Sequence, residues 1–132
     1  LISSALHVTL MTVYIANAFS INMLQEFPAS VVIDKIDKVE FCAKLEDAQE
    51  RNELTSAIGH QATAELVNQL CVALAYDVKV QVNRVAVKLH EGDVLLVVQV
   101  LERLPEGKVL SEEEIKQLYE SGKVAFFEVR VE

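Results

Sequence analysis

One histidine occupies a position where its residue type and its surroundings could do chemistry. His60 follows Gly59 in the stretch SAIGHQATAEL (56–66), at the point where a helical pattern begins. The first turn of a helix offers unpaired backbone N–H groups and the positive end of the helix dipole, which favour a bound phosphate. Gly59 would let that ligand approach the backbone closely. An imidazole beside the phosphate could donate a proton to a leaving oxygen, as in a ribonuclease.

The residues alone also allow a structural or incidental His60, because geometry rather than residue type defines a catalytic histidine. Nucleophilic side chains have little support. No GxSxG motif places a serine for attack. Cys42 and Cys71 lie in the apolar stretches VEFCA and NQLCVAL, a setting that argues against a reactive thiol.

Two of the four arginines stand where they could bind a phosphate. Arg84 lies where an alternation of apolar residues shifts by one position, and Arg103 lies where a predicted strand runs into a loop. A guanidinium can hold a phosphate through two parallel hydrogen bonds, and loops often carry binding residues. The alternative is a solvated charge, which is our interpretation of Arg51 and Arg130.

Four further polar residues lie at strand ends or inside apolar runs, where their side chains could contact base edges or sugar hydroxyls. They are Asn17, Ser20, Asn22 and Gln99. The competing interpretation for all four is local capping and turn hydrogen bonding.

Metal and nucleoside triphosphate chemistry find little support in the sequence. The three histidines lack ligand spacing, and neither HExxH nor CxxC occurs. The acidic run 112–114 is better explained by the preference for carboxylates at a helix N-terminus. GxxxxGK and GxGxxG are also absent. We therefore predict a protein with no metal and no cofactor.

Length and charge limit the class of protein. The chain has 132 residues, of which 52% are hydrophobic, with four glycines and two prolines, and this predicts one folded domain. The formal charge of −8 repels polyanions and argues against duplex nucleic acid as a partner. A nucleotide ligand would need a local basic pocket.

The N-terminal region is apolar up to Glu26, the first charged residue. Polar residues interrupt it and no basic residue precedes it, so we predict no membrane segment. We interpret residues 1–10 as an upstream or linker segment and residues 11–132 as the domain. The two cysteines, distant in sequence, favour buried thiols over a disulfide and hence a cytoplasmic protein.

The patterns that must position these residues begin with strands. TVYIAN (12–17) is typical of a central strand and is followed by a short turn or helix at 20–25. Residues 30–45 predict two short strands, or a strand and a turn. The polar run 46–53 predicts an exposed loop or a helical turn.

The main helix is predicted from Leu54 onward, where apolar residues recur every four positions. It begins at Ser56 as N-cap or, if Gly59 breaks the chain, just after that glycine. At 78–89 the period changes to two and predicts strands. The shift at 83–84 indicates a bulge or a tight bend that re-aims Arg84.

The last part of the chain predicts a strand, a helix and a strand. VLLVVQV (94–100) is typical of a strand covered on both faces. Ser111 and Glu114 form a capping box for a helix that ends near Gly122. The closing strand is predicted to point three residues inward and three outward: Phe127, Val129 and Val131 inward, Glu128, Arg130 and Glu132 outward. The class is α/β (α+β), with a mixed sheet of five or six strands and two main helices.

Four stretches also resemble a known family, in the same order. They are YIANAFSINML (14–24), SAIGH (56–60), NRVAVKL (83–89) and VVQVLERLPEGKVLSEEEI (97–115). They are similar to the viral anti-CRISPR ring nucleases, small α/β homodimers that degrade the cyclic tetra-adenylate messenger of type III CRISPR systems. The likeness covers residues 12–131, although the segment 46–53 matches poorly.

The resemblance implies catalytic roles for two residues. His60 corresponds to the catalytic acid of the family, and Glu106 corresponds to a residue that assists near the reacting groups. The loop LPEGK that carries Glu106 is similar to the lid that closes over the bound ring. Together they imply a metal-independent cleavage of cyclic tetra-adenylate to linear di-adenylate with a 2′,3′-cyclic phosphate.

The resemblance also implies ligand contacts. Ser20 and Asn22 would hold the ligand and orient the attacking ribose hydroxyl, while Arg84 and Arg103 would contact phosphates and Gln99 would lie in the pocket. The main alternative is a dimer that binds the cyclic nucleotide without cutting it. A structural or nucleic-acid-associated viral protein is a second alternative, which the charge disfavours.

Overall fold

A five-stranded sheet and three helices form the fold, seen in a computed structural model that describes residues 11–104 and 109–132. The strands are β1 (Val13–Ala16), β2 (Val31–Ile36), β3 (Leu54–Ser56), β4 (Val94–Val100) and β5 (Val124–Val131). The helices are α1 (Lys38–Glu50), α2 (Gln61–Ala73) and α3 (Glu112–Glu120), with a 3-10 helix at Ile21–Met23. The predicted α+β class and mixed sheet are confirmed, and the structure has one more helix than predicted.

Parallel pairing at one side of the sheet determines where the strand ends meet. The strand order is β2-β5-β4-β1-β3, with β1 parallel to both β3 and β4. The strand β5 runs antiparallel to its neighbours β4 and β2. Because Ile15 lies opposite both Ser56 and Leu96, the strands β3, β1 and β4 leave the sheet at the same edge. We call this edge the carboxyl edge.

The two faces of the sheet are covered by different parts of the chain. On one face Leu96, Val98 and Phe126 pack with residues of the three helices. On the other face Leu95 and Val97 pack with residues from the segment that follows α2. The prediction that β4 is covered on both faces is therefore confirmed.

The segment 78–89 does not form the predicted strands. Among the described residues its only β-bridge is the one between Leu24 and Leu89. Val78 and Val80 pack on the helix face, whereas Val87 and Leu89 pack on the opposite face, so the segment passes around the edge of the sheet beside β3. The alternation reflects the burial of alternate residues against the sheet. The shift at 83–84 marks the position where the segment passes from one face of the sheet to the other.

The helix α1 replaces the strand, turn and loop that were predicted for this part of the chain. Asp37 is its N-cap, and Asp37 Oδ1 accepts a hydrogen bond of 2.8 Å from the Glu40 N–H. Its buried side chains follow a helical spacing against the sheet: Phe41, Cys42, Leu45 and Ala48. The polar run 46–53 is mainly the end of this helix, and the strand prediction holds only for β2.

The outward prediction for Glu128 is also wrong. Glu128 lies on the helix face of β5 and is buried, because Lys44 of α1 donates a hydrogen bond of 2.7 Å to its Oε2. That hydrogen bond raises the pKa of Lys44 above its usual value. Val129 and Val131 are buried as predicted, and Arg130 is exposed. The strand β5 thus buries residues on both faces.

Two predicted helix boundaries are confirmed. The helix α2 begins directly after His60, the later of the two predicted starts. The helix α3 begins with a capping box of Ser111 and Glu114, and it ends at Glu120. None of the helices in the described ranges combines the length and the apolar character needed to cross a bilayer.

A disulfide between Cys42 and Cys71 ties α1 to α2. Both residues are fully buried, so their apolar surroundings were identified correctly. The prediction of free thiols is nevertheless wrong, because two helices that are distant in sequence pack side by side. The cysteines therefore give no argument for a reducing compartment.

The Cys42→Ala/Cys71→Ala variant is expected to lose about 3 to 4 kcal/mol of unfolding free energy, because the cross-link lowers the conformational entropy of the unfolded chain. Urea denaturation followed by circular dichroism measures this loss. Alkylation of the denatured wild-type protein should label neither cysteine unless a reductant is added. Labelling without a reductant would contradict the cross-link.

Candidate functional site

A cavity of about 450 Å³ lies at the carboxyl edge of the sheet. Its walls come from the end of β1, the first turn of α2 and the end of β4 with the chain that follows. The lining residues are Asn17, His60, Ala62, Thr63, Val100, Glu102, Arg103 and Leu104. Ligands of open sheets bind beyond the carboxyl ends of parallel strands, so this position suits a binding site.

The position of His60 follows from the short connection between β3 and α2. The strand ends at Ser56, and His60 is the N-cap residue of α2, with an extended backbone (φ −124°, ψ 128°). Its side chain makes no capping hydrogen bond and is exposed. The backbone of 57–60 therefore determines where the imidazole lies, and the ring is available to a ligand.

The first turn of α2 presents an electrostatically positive end to the cavity. No side chain caps it, and none of its first residues is acidic. The first backbone N–H groups of a helix have no partner within the helix. Together with Arg103, which lines the same cavity, they suit an anionic ligand.

Arg84 lies beside the His60 loop, and it is not one of the residues that line this cavity. Arg84 Nε donates a hydrogen bond of 3.3 Å to the carbonyl oxygen of Gly59. The guanidinium thus contacts the residue that directly precedes His60. The re-aiming that was predicted from the shift at 83–84 brings Arg84 to this loop.

The space over Gly59 is open. Apart from Gly59 and its two chain neighbours, no described residue has a heavy atom within 4 Å of the position where a Cβ would stand. Packing in the described part of the chain therefore does not require a glycine here. The close approach of a ligand stays a prediction that this open space allows.

Asn17 connects the cavity to a smaller one on the sheet face that lacks helices. This second cavity has a volume of about 240 Å³. Asn17 and Gln99 are its polar members, and its other lining residues are Ala18, Phe19, Ile33, Val97, Phe127 and Val129. The structure therefore brings Asn17, His60 and Arg103 together, with Gln99 in the adjoining cavity.

Ser20 and Asn22, two further predicted site residues, lie away from both cavities. They contact each other, with Ser20 Oγ donating a hydrogen bond of 2.6 Å to Asn22 Oδ1. Glu106 lies outside the described residues, so its predicted role is not addressed by the structure.

Two residues of the cavity were not singled out from the sequence. Thr63, in the first turn of α2, is 7% exposed. Glu102 places a carboxylate beside Arg103 in the lining. The sequence signal for Thr63 is its position three residues after His60, because the third residue after an N-cap lies in the first turn of the helix.

The ionisable groups in the lining are one imidazole, one guanidinium and one carboxylate, from His60, Arg103 and Glu102. In the ranges 11–104 and 109–132, no three His, Cys, Asp or Glu side chains are grouped as metal ligands would be. A cationic side chain and helix N–H groups can bind a phosphate, and an imidazole can transfer a proton.

Comparison with known proteins agrees with the fold. B116 of Sulfolobus turreted icosahedral virus (STIV) is similar in structure, with a TM-score of 0.83 and 50% sequence identity, over 90% of this chain and 98% of that protein. A protein of Acidianus filamentous virus 1, described as uncharacterized protein ORF116, is 39% identical over 118 residues, which are 89% of this chain and 94% of that protein. The profile of the viral STIV B116-like family matches residues 13–126. The chain is therefore a member of the STIV B116-like family.

Proposed function

We propose that this protein is a metal-independent ring nuclease that cleaves cyclic tetra-adenylate and thereby switches off type III CRISPR defence in the infected cell. The observation that carries the proposal is the cavity at the carboxyl edge. It combines His60, the uncapped first turn of α2 and Arg103. Those groups suit a phosphodiester whose leaving oxygen needs a proton.

The reaction we propose uses the nucleophile that RNA itself carries. The ribose 2′-oxygen bonds to the adjacent phosphorus, and the bond from phosphorus to the 5′-oxygen breaks. His60 gives its proton to the departing 5′-oxygen, and we propose that Glu106 takes the proton of the 2′-hydroxyl. The N–H groups of α2 and the guanidinium of Arg103 stabilise the charge on the phosphoryl oxygens. One such cleavage opens the ring to linear tetra-adenylate, and the same reaction at the opposite phosphodiester gives two molecules of linear di-adenylate, each with a 2′,3′-cyclic phosphate.

A second copy of the chain would supply the second reaction centre. We propose that it covers the sheet face without helices, where Ile33 is 53% exposed and Phe127 is half-buried. A two-fold axis there would present two His60 side chains to one ring and allow cleavage of two opposite bonds. The net negative charge is compatible with this ligand, because a small enclosed ring needs only a few arginines.

A dimer that binds the ring without cutting it is the alternative. The absence of an orienting hydrogen bond to the His60 ring, within the described residues, favours this second candidate. Both functions predict affinity for cyclic tetra-adenylate. Only the nuclease predicts a product.

The His60→Ala variant is expected to cleave cyclic tetra-adenylate about 100- to 10,000-fold more slowly than the wild-type protein, because a general acid contributes that much. The measurement is single-turnover cleavage in the presence of a chelator, with products separated by chromatography. His90→Ala is the matched control, since His90 is exposed and lies outside the cavity. An intact ring with the wild-type protein, or equal rates for both variants, would overturn the assignment.

The Gly59→Ala variant is expected to fold as well as the wild-type protein but to bind the ring more weakly. Beyond the two chain neighbours of Gly59, the methyl group meets no atom of the described residues within 4 Å, yet it enters the space where a phosphate would approach the backbone. We expect the dissociation constant to rise about tenfold, which is roughly 1.4 kcal/mol. Calorimetric titration of the His60→Ala protein, with and without the glycine change, measures it. Unchanged affinity would show that the ligand stays away from Gly59.

A further inference from the structure

The loop that carries His60 is held by hydrogen bonds of Asn83 and Ser56 at the edge of the sheet. The backbone N–H of Asn83 donates a hydrogen bond of 3.0 Å to the carbonyl oxygen of Ile58. The side-chain Nδ2 of Asn83 donates another, of 2.9 Å, to the carbonyl oxygen of Ser56. Asn83 therefore ties two carbonyl groups of the connection between β3 and α2.

Ser56 strengthens the same attachment from the other side. Ser56 Oγ donates a hydrogen bond of 2.6 Å to the carbonyl oxygen of Gln81, and it accepts one of 3.4 Å from the Ile58 N–H. Ile58 is fully buried, so the loop is also anchored in the core. The contacts lie where the chain passes around the edge of the sheet, beside β3.

The position of the His60 ring depends on this attachment of the loop. Its ring has no hydrogen-bond partner in the described part of the chain, so no neighbouring side chain orients it. An acid must lie within hydrogen-bond reach of the leaving oxygen, and a displacement of about 1 Å can cost about 100-fold in rate. The backbone of 56–60 is therefore what places the imidazole.

We propose that Asn83 is a positioning residue for His60, an inference that rests on the proposed function of that histidine. Asn83 acts through the backbone of the loop and has no contact with the reacting atoms. Its amide is the only group in the described ranges that hydrogen-bonds the carbonyl oxygen of Ser56 through a side chain. Loss of that donor removes one of the hydrogen bonds that hold the start of the loop and leaves every group of the cavity lining in place.

Two variants test this role. Asn83→Ala removes the side-chain donor and keeps the backbone hydrogen bond, whereas Asn83→Asp turns an acceptor toward the carbonyl oxygen of Ser56. We expect kcat to fall about 10- to 100-fold, more for Asn83→Asp, while KM changes by less than about threefold. The matched control is Gln81→Ala, which removes an exposed amide that has no side-chain hydrogen bond in the described residues. Thermal unfolding confirms that each variant is folded.

The imidazole resonances of His60 provide a readout that does not need activity. In a carbon-edited NMR spectrum we expect them to shift or broaden in Asn83→Ala and to stay in place in Gln81→Ala. If the wild-type protein cuts no ring, the proposed function fails, and these resonances still decide the positioning role. Unchanged resonances, or equal kcat values for Asn83→Ala and Gln81→Ala, would overturn it.

Discussion

Parallel pairing of β1 between β3 and β4 is the constraint on which the site depends. Three parallel strands must end at one edge, and their successors therefore begin there together. Asn17 follows β1, His60 closes the connection after β3, and Arg103 follows β4. Residues that are distant in sequence thus line one cavity, and the same edge receives the positive end of α2.

Local signals were sufficient for the elements whose limits depend on neighbouring residues. The start of α2 after Gly59 and the capping box of α3 follow from hydrogen bonds made within one turn. The helix α1 was missed because Val39 and Phe41 favour a strand by residue type, although the buried positions repeat at helical spacing. The packing of these buried residues against the sheet, and not residue type, determines that the segment is a helix.

Nonlocal contacts explain the remaining differences. The alternation at 78–89 predicts strands, but the same pattern arises where a chain buries alternate residues without joining a sheet. The Cys42–Cys71 bond, Thr63 in the cavity and Asn83 against Ser56 all require knowledge of which elements are neighbours. Asn17, His60 and Arg103 could be singled out from the sequence, yet their meeting at one edge depends on strand order.

A crystal structure of the His60→Ala variant with cyclic tetra-adenylate tests most directly whether the carboxyl edge is an active site. We expect an intact ring, with one phosphate at the first turn of α2 and beside Arg103. The 5′-oxygen of that phosphate should lie within hydrogen-bond reach of the space left by the imidazole. A ring bound at another surface, or the absence of binding, would contradict the proposed role of His60.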